Sequence, residues 1–381
     1  MHVRRIMSPS LLLSLLLFAP STPAQKPALW HDPSSHTTQF VTVDKNVKLE
    51  VLDWGGSGRP VVLLSGQGNT AHVFDDFAPK LTSEYHIYGI TRRGYGSSSV
   101  PAPDVKNYSA DRLGDDVLAV LDALKIGKAV LVGHSLGGEE LTSIVNRNPE
   151  RVAGLVYLDA GYAYAYYDSA RTGDSLKNQI DWNELKRKAE LVLSENGKDR
   201  ENHIADLLRA DIPTFEKDLQ QFDQPQFNVS LKPAPEPTTA DFKSFDAYRA
   251  YRTRTFGFVA PEAELREGRQ STSDGHVGSS KGVSVASPAI SAGMQKYTEI
   301  KAPVLAIFAA PHGVGPYAQN DPVLKSFYAS DTAYMKQVTD GFQKGVPSAH
   351  VVVLQRANHY VFLSNEADVL REMRTFLAKL K

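Results

Sequence analysis

The chain has 381 residues, 42% hydrophobic and 22% charged, a globular composition long enough for one large domain or two ordinary ones. This excludes a disordered tail, a collagen and a disulfide-knotted miniprotein. The 42 Lys and Arg against 43 Asp and Glu leave a formal net charge of −1, so no long-range field steers the molecule toward nucleic acid or anionic lipid, and a small-molecule partner is expected.

At the N-terminus Arg4 and Arg5 precede a short apolar run, Leu11 to Ala19, and then small residues, Pro20 to Ala24. This is the three-part plan of a secretory signal peptide (residues 1–24), and it predicts cleavage after Ala24 and export. The run has roughly half the ~20 residues a spanning helix needs, and no later stretch is apolar for ~18, so no stable membrane insertion is expected. With no cysteine, disulfides, thiolate metal ligands and a Cys nucleophile are excluded together.

After an extended polar segment, Gln25 to His36, short β-rich runs follow one another. Phe40 to Val43 and Val47 to Trp54 predict a hairpin, and Val61 to Leu64, His86 to Ile90, Ala129 to Gly133, Val152 to Leu158, Val304 to Phe308 and His350 to Leu354 predict six more strands. Several are unbroken apolar runs, as in parallel strands covered on both faces. Helical stretches lie between them at Phe74 to Leu81, Asp111 to Leu124, Leu136 to Asn146, Asp321 to Gln343 and Glu366 to Leu380. The alternation implies an α/β fold with a mostly parallel eight-stranded sheet and flanking helices. It fails only between about Gly161 and Ile300, which reads as a helical cap (161–300) inserted after strand 6 between two parts of one core (25–160 and 301–381). Within it, Lys232 to Pro237 reads as an extended linker and Ser271 to Ser287 as a mobile Gly/Ser-rich stretch.

Gly133-His134-Ser135-Leu136-Gly137 fits G-x-S-x-G and sits where a predicted strand gives way to a helix. A serine on a strained strand-to-helix turn needs neighbours without Cβ atoms, and its hydroxyl then projects above the sheet. The same turn places the Leu136 N–H at a helix N-terminus, where unpaired donors and the positive dipole end favour an oxyanion. These residues resemble the α/β-hydrolase superfamily, specifically its cap-bearing serine esterases, over roughly Thr38 to the C-terminus.

The resemblance implies a Ser-His-Asp triad and an acyl-enzyme. Ser135 is the nucleophile and His359, a few residues after the last strand, the base. The N–H groups of Leu136 and Gln67 form the oxyanion hole, although the family usually shows His-Gly where this chain has Ser65-Gly66. Arg93-Gly94-Tyr95-Gly96-Ser97 matches a scaffold turn of these proteins. Most relatives carry the acid just past the seventh strand. Here Ala309 to Pro316 holds no carboxylate, and the first one downstream is Asp321. Asp159, at the end of the sixth strand, occupies the alternative acid position, so Asp159 and Asp321 are the two candidates, with Asp159 preferred.

Glu139 and Glu140 have a bland reading, favourable interaction with the helix dipole, and a sharper one in which one of them selects against anionic substrates or binds an amine. Tyr162 and Tyr164, within a Tyr-rich entry to the cap, either line a substrate pocket or pack cap onto core. His134 reads as a positioned elbow side chain; His312, in the loop that lacks the expected acid, either faces the same cleft or is a plain loop histidine, the latter preferred. There is no HExxH, no convincing His/Asp cluster for a metal and no phosphate loop, so no cofactor is expected.

The expected activity is cleavage of a small or medium-sized carboxylic ester by an exported serine hydrolase. Prolyl-type aminopeptidases, lactonases, carbon–carbon bond hydrolases and cofactor-free haloperoxidases share the nucleophile, and a non-catalytic ligand-binding member is the rival from another class. An Asp at position 135 would have indicated a dehalogenase or epoxide hydrolase; the serine argues against both.

Overall fold

A computed structural model describes residues 30–222 and 229–380. The chain divides into a unit Met1–His31 and a unit Asp32–Lys381; the second carries everything that follows. The expected signal peptide and its cleavage point lie outside the described residues. Among those residues, no helix is long and apolar enough to cross a membrane.

Eight strands form one sheet: β1 (Thr37–Asp44), β2 (Val47–Gly55), β3 (Pro60–Leu64), β4 (His86–Ile90), β5 (Ala129–His134), β6 (Val152–Leu158), β9 (Val304–Ala309) and β10 (Ala349–Leu354), in the order β1-β2-β4-β3-β5-β6-β9-β10. A separate small pair, β7 (Arg269–Ser271) and β8 (Val277–Ser280), lies between β6 and β9 in the chain. β2 is antiparallel to both β1 and β4, and from β4 onward every pairing is parallel. The mostly parallel eight-stranded sheet expected from the apolar runs is therefore present. Every residue of β5 and β9 is buried, because helices cover both faces.

Side-chain alternation divides these strands between two apolar layers. Val130 and Val132 pack with Phe74, Phe77 and Phe362 on one face, while Leu131 packs with Leu141 and Ile144 on the other.

Two helix boundaries differ from expectation, and proline accounts for both. The stretch read as one helix over Phe74 to Leu81 is two 3₁₀ turns, Ala71–Phe74 and Ala78–Leu81, the second opening on Pro79. The helix expected from Asp321 starts at Leu324, because Pro322 pushes the residue before it out of helical backbone.

Between β6 and β9 the chain is mainly helical, with helices at Ser175–Ser194, Gly197–Asp206, Ile212–Phe222, Phe245–Phe256, Glu262–Gly268 and Ser287–Gly293. The reading of Ser271 to Ser287 as a mobile stretch is corrected in part by β7 and β8, which pair as an antiparallel hairpin. Gly275 closes its turn at φ +85°, a conformation glycine adopts without a Cβ clash. Glu264 anchors this region to the core by accepting bonds from the Asn69 amide (2.8 Å) and the Thr70 hydroxyl (2.5 Å).

Candidate active site

The register of the sheet assembles the site. His134 of β5 pairs with Leu158 of β6, so Ser135 and Asp159, the next residues, leave adjacent parallel strands at the same level. β9 and β10 end beside them and bring the loops that carry His312 and His359.

Both exits are tight. Ser135 has φ +48° and Asp159 φ +46°, a left-handed conformation that non-glycine residues adopt only where surrounding structure enforces it. Glycine makes the Ser135 turn possible: a Cβ on Gly133 would lie 2.6 Å from the Gly137 carbonyl carbon, and one on Gly66 would lie 2.9 Å from Ser135 Cβ. The loop Ser65 to Gly68 thus presses directly against the serine. Tyr164 is buried beside Tyr162, their ring centroids 5.9 Å apart.

His359 Nδ1 lies 2.6 Å from Asp159 Oδ2. Asp159 is fully buried, and its carboxylate also receives the Tyr162 hydroxyl (3.0 Å), the Ala309 N–H (3.0 Å) and His312 Nε2 (2.9 Å). Burial opposes its charge, but hydrogen bonds from His312 and His359 prevail and hold its pKa well below the carboxylate range. Asp321 stands apart from this network; its carboxylate accepts the Lys232 N–H (3.0 Å) and the Val323 N–H (3.0 Å), a local turn role.

His312 takes the less favoured of its two readings and faces the site. It is no plain loop histidine: Nε2 meets Asp159, and Nδ1 meets Asp331 at 3.0 Å. Burial disfavours a cation here, yet the two carboxylates outweigh it and raise the His312 pKa to about 10. A signal for this role was available, because His312 stands just past β9, where the resemblance expects the acid and where this chain has none.

His134 is buried, with its ring centroid 4.8 Å from that of His359. Burial first, and then the neighbouring His359, lower its pKa to about 3, so it is neutral. Its Nε2 lies 3.1 Å from the His359 carbonyl, which places a donated proton there and steadies the loop that carries His359.

Among the described residues, neither the Leu136 N–H nor the Gln67 N–H donates to another protein group. Leu136 precedes helix Gly137–Arg147, and Gln67 lies in the loop that backs onto Ser135. That loop is held from behind by a residue the sequence reading missed. Arg92, buried and ion-paired with Glu140, donates to the Ser65 carbonyl (2.7 Å) and the Gly66 carbonyl (3.4 Å). Its neighbour Arg93 is fully buried and grips Asp116 with two bonds of 2.5 and 2.6 Å.

Glu139 lies in the first turn of helix Gly137–Arg147 and is enclosed there. It is 1% exposed, Oε1 accepts the Gln295 N–H (3.1 Å) and Oε2 has no partner among the described residues. Burial raises its pKa to about 8, which opposes the charged carboxylate that the helix-dipole and amine readings both need.

The absence of a convincing His/Asp cluster from the sequence reading is also corrected, because the fold assembles two. Asp159, His312 and His359 form one, and it is the network around the candidate base described above. Asp32, His36, His72 and Asp75 form the other, with His72 in the 3₁₀ turn Ala71–Phe74 that follows the Gln67 loop.

An elbow serine, a histidine and a buried acid at the carboxyl ends of a β4-to-β10 parallel sheet define the α/β-hydrolase architecture. The family model for the alpha/beta hydrolase fold matches residues 59–366, and the chain belongs to that family. It is 31% identical to epoxide hydrolase 4 of Mus musculus over 144 residues, 36% of this chain and 38% of that protein. It is 34% identical to a fluoroacetate dehalogenase of a Burkholderia species over 116 residues, 30% of this chain and 38% of that one. The chain thus matches about two-fifths of the length of these relatives. Among solved structures, an E-2-(acetamidomethylene)succinate hydrolase superposes with a TM-score of 0.54 at 18% identity, covering 90% of this chain and 99% of the other. This likeness concerns the fold.

Proposed function

We propose that the protein is an exported serine hydrolase that cleaves a carboxylic ester of a small or medium-sized substrate, with the helical region 161–300 acting as a cap. The observation that carries this reading is the His359–Asp159 contact of 2.6 Å beside an elbow serine at φ +48°. Ser135 Oγ attacks the ester carbonyl while His359 Nε2 takes its proton. The tetrahedral oxyanion rests on the Leu136 and Gln67 N–H groups; collapse breaks the ester C–O bond, and the proton passes to the departing alcohol. Water deprotonated by His359 then attacks the acyl-enzyme, releasing the acid and restoring Ser135.

The relatives named as an epoxide hydrolase and a dehalogenase do not transfer their reactions easily, since Ser135 offers a hydroxyl where those chemistries use a carboxylate nucleophile.

The test is hydrolysis of p-nitrophenyl esters from C2 to C16 by the wild type and Ser135→Ala, with fluorophosphonate labelling of both. Turnover and labelling are expected in the wild type and lost in the variant. Turnover that survives Ser135→Ala would overturn the mechanism, and labelling without turnover on any ester would overturn the substrate class.

A further inference from the structure

We propose that Asp32, His36, His72 and Asp75 bind a divalent transition-metal ion of the zinc type, which fastens the segment entering β1 to the core beside the loop that carries Gln67. The proposal is independent of Ser135 and of ester hydrolysis.

Each of the four residues offers one donor atom, and these atoms lie within 4.8 Å of one another. His36 Nδ1 is 2.9 Å from Asp75 Oδ1, and His72 Nδ1 is 2.9 Å from Asp75 Oδ2 and 3.5 Å from Asp32 Oδ2. A tetrahedral ion with bonds of ~2.0–2.1 Å holds its donors about 3.3 Å apart, so the side chains already stand at the edges of such a shell. Two imidazoles and two carboxylates suit zinc, whereas calcium and magnesium take oxygen alone.

The surroundings hold these donors in place. The Trp54 indole N–H donates to Asp75 Oδ1 at 3.1 Å. Glu50 Oε1 faces the far nitrogen of His72 at 3.7 Å and is itself fixed by the Thr91 hydroxyl, 2.7 Å from its other oxygen. A carboxylate behind a ligating histidine sets the ring orientation and strengthens the ligand. The side chains of His36 and Asp75 are 5% and 1% exposed, a setting in which unmetallated charges are costly.

The placement also has a purpose. Residues 32–36 have no regular secondary structure of their own, and the chain has no cysteine with which to staple them. An ion joining Asp32 and His36 to His72 and Asp75 closes the intervening stretch of chain as a disulfide would, in an otherwise uncross-linked fold.

The test uses the full chain without an affinity tag, dialysed against Zn2+ or Co2+, with metal content by elemental analysis, thermal unfolding and Co2+ absorption. One ion per chain is expected, with an upward Tm shift of several degrees and an intense tetrahedral Co2+ band, in the wild type and equally in His359→Gln, which breaks the second His/Asp group. His36→Gln and His72→Gln lose the ion, the band and the Tm response. Asp32→Asn changes a partly exposed ligand and so keeps the fold; it binds at least ~10-fold more weakly. No uptake by the wild type, or uptake abolished by His359→Gln but kept by His36→Gln, overturns the proposal.

Discussion

Glu139→Gln separates burial from charge as the determinant of this carboxyl's state. Glu139 is almost fully enclosed and receives a single N–H, from Gln295. Burial is the larger influence on it, and the pKa rises from 4.5 to about 8. The folded chain therefore binds this proton more tightly than the unfolded chain does. Its contribution is fully present below pH 4.5, declines as pH rises through about 8 and is constant above that. An interval of about 3.5 pH units at ~1.4 kcal/mol each sets an upper bound of about 5 kcal/mol, and water entry or local relaxation reduces it to roughly 2–4 kcal/mol. The amide of the variant accepts the Gln295 N–H and cannot ionise. Denaturant midpoints are to be measured from pH 4 to 9 for both proteins. The variant is expected to match the wild type near pH 4 and to exceed it by roughly 2–4 kcal/mol at pH 9. A stability difference that stays constant across the range would refute the reasoning and return Glu139 to the role of an ordinary anion at a helix start.

Asp159→Asn is expected to lower kcat by about 10⁴-fold through loss of the His359 orientation, with the fold kept, while Asp321→Asn changes kcat by less than about 3-fold; steady-state kinetics with circular dichroism checks both. His312→Gln keeps a donor for Asp159 but removes a cation whose ring centroid is 6.2 Å from that of His359. With an effective dielectric near ~20, a unit charge at that distance is worth about 2.7 kcal/mol, so the acid limb of the kcat/KM profile moves up by about two pH units; an unmoved limb means His312 is structural only. Arg92→Met frees the Ser65 and Gly66 carbonyls and strands Glu140. It lowers kcat by about 10²-fold and stability by roughly 3–5 kcal/mol. Pairing it with Glu140→Gln recovers much of the stability and none of the kcat.

The parts of this molecule legible in its sequence are those decided by near neighbours. The apolar runs of β5 and β9 mark strands covered on both faces, and Gly133 and Gly137 flank a serine that the backbone holds at positive φ. Proline explains the two misplaced helix starts, so those boundaries were readable as well. What the sequence conceals is set by partners far along the chain: Asp331 behind His312, Gln295 beside Glu139, Asp32 opposite His72. Charge state follows the same divide. Asp159 and Glu139 are both acidic, both at most 1% exposed, and both close to Ser135 in the fold or the sequence. Burial pushes each toward the neutral form. Asp159 nevertheless stays anionic because His359, His312, Tyr162 and Ala309 all donate to it, whereas Glu139 has one N–H and holds its proton. With burial equal, the number and charge of the donors decide the outcome, and those donors come from β9, β10 and the turn after β6. An acid able to orient a histidine is therefore a property of the assembled sheet end, which is why residue type and spacing alone left Asp321 in contention.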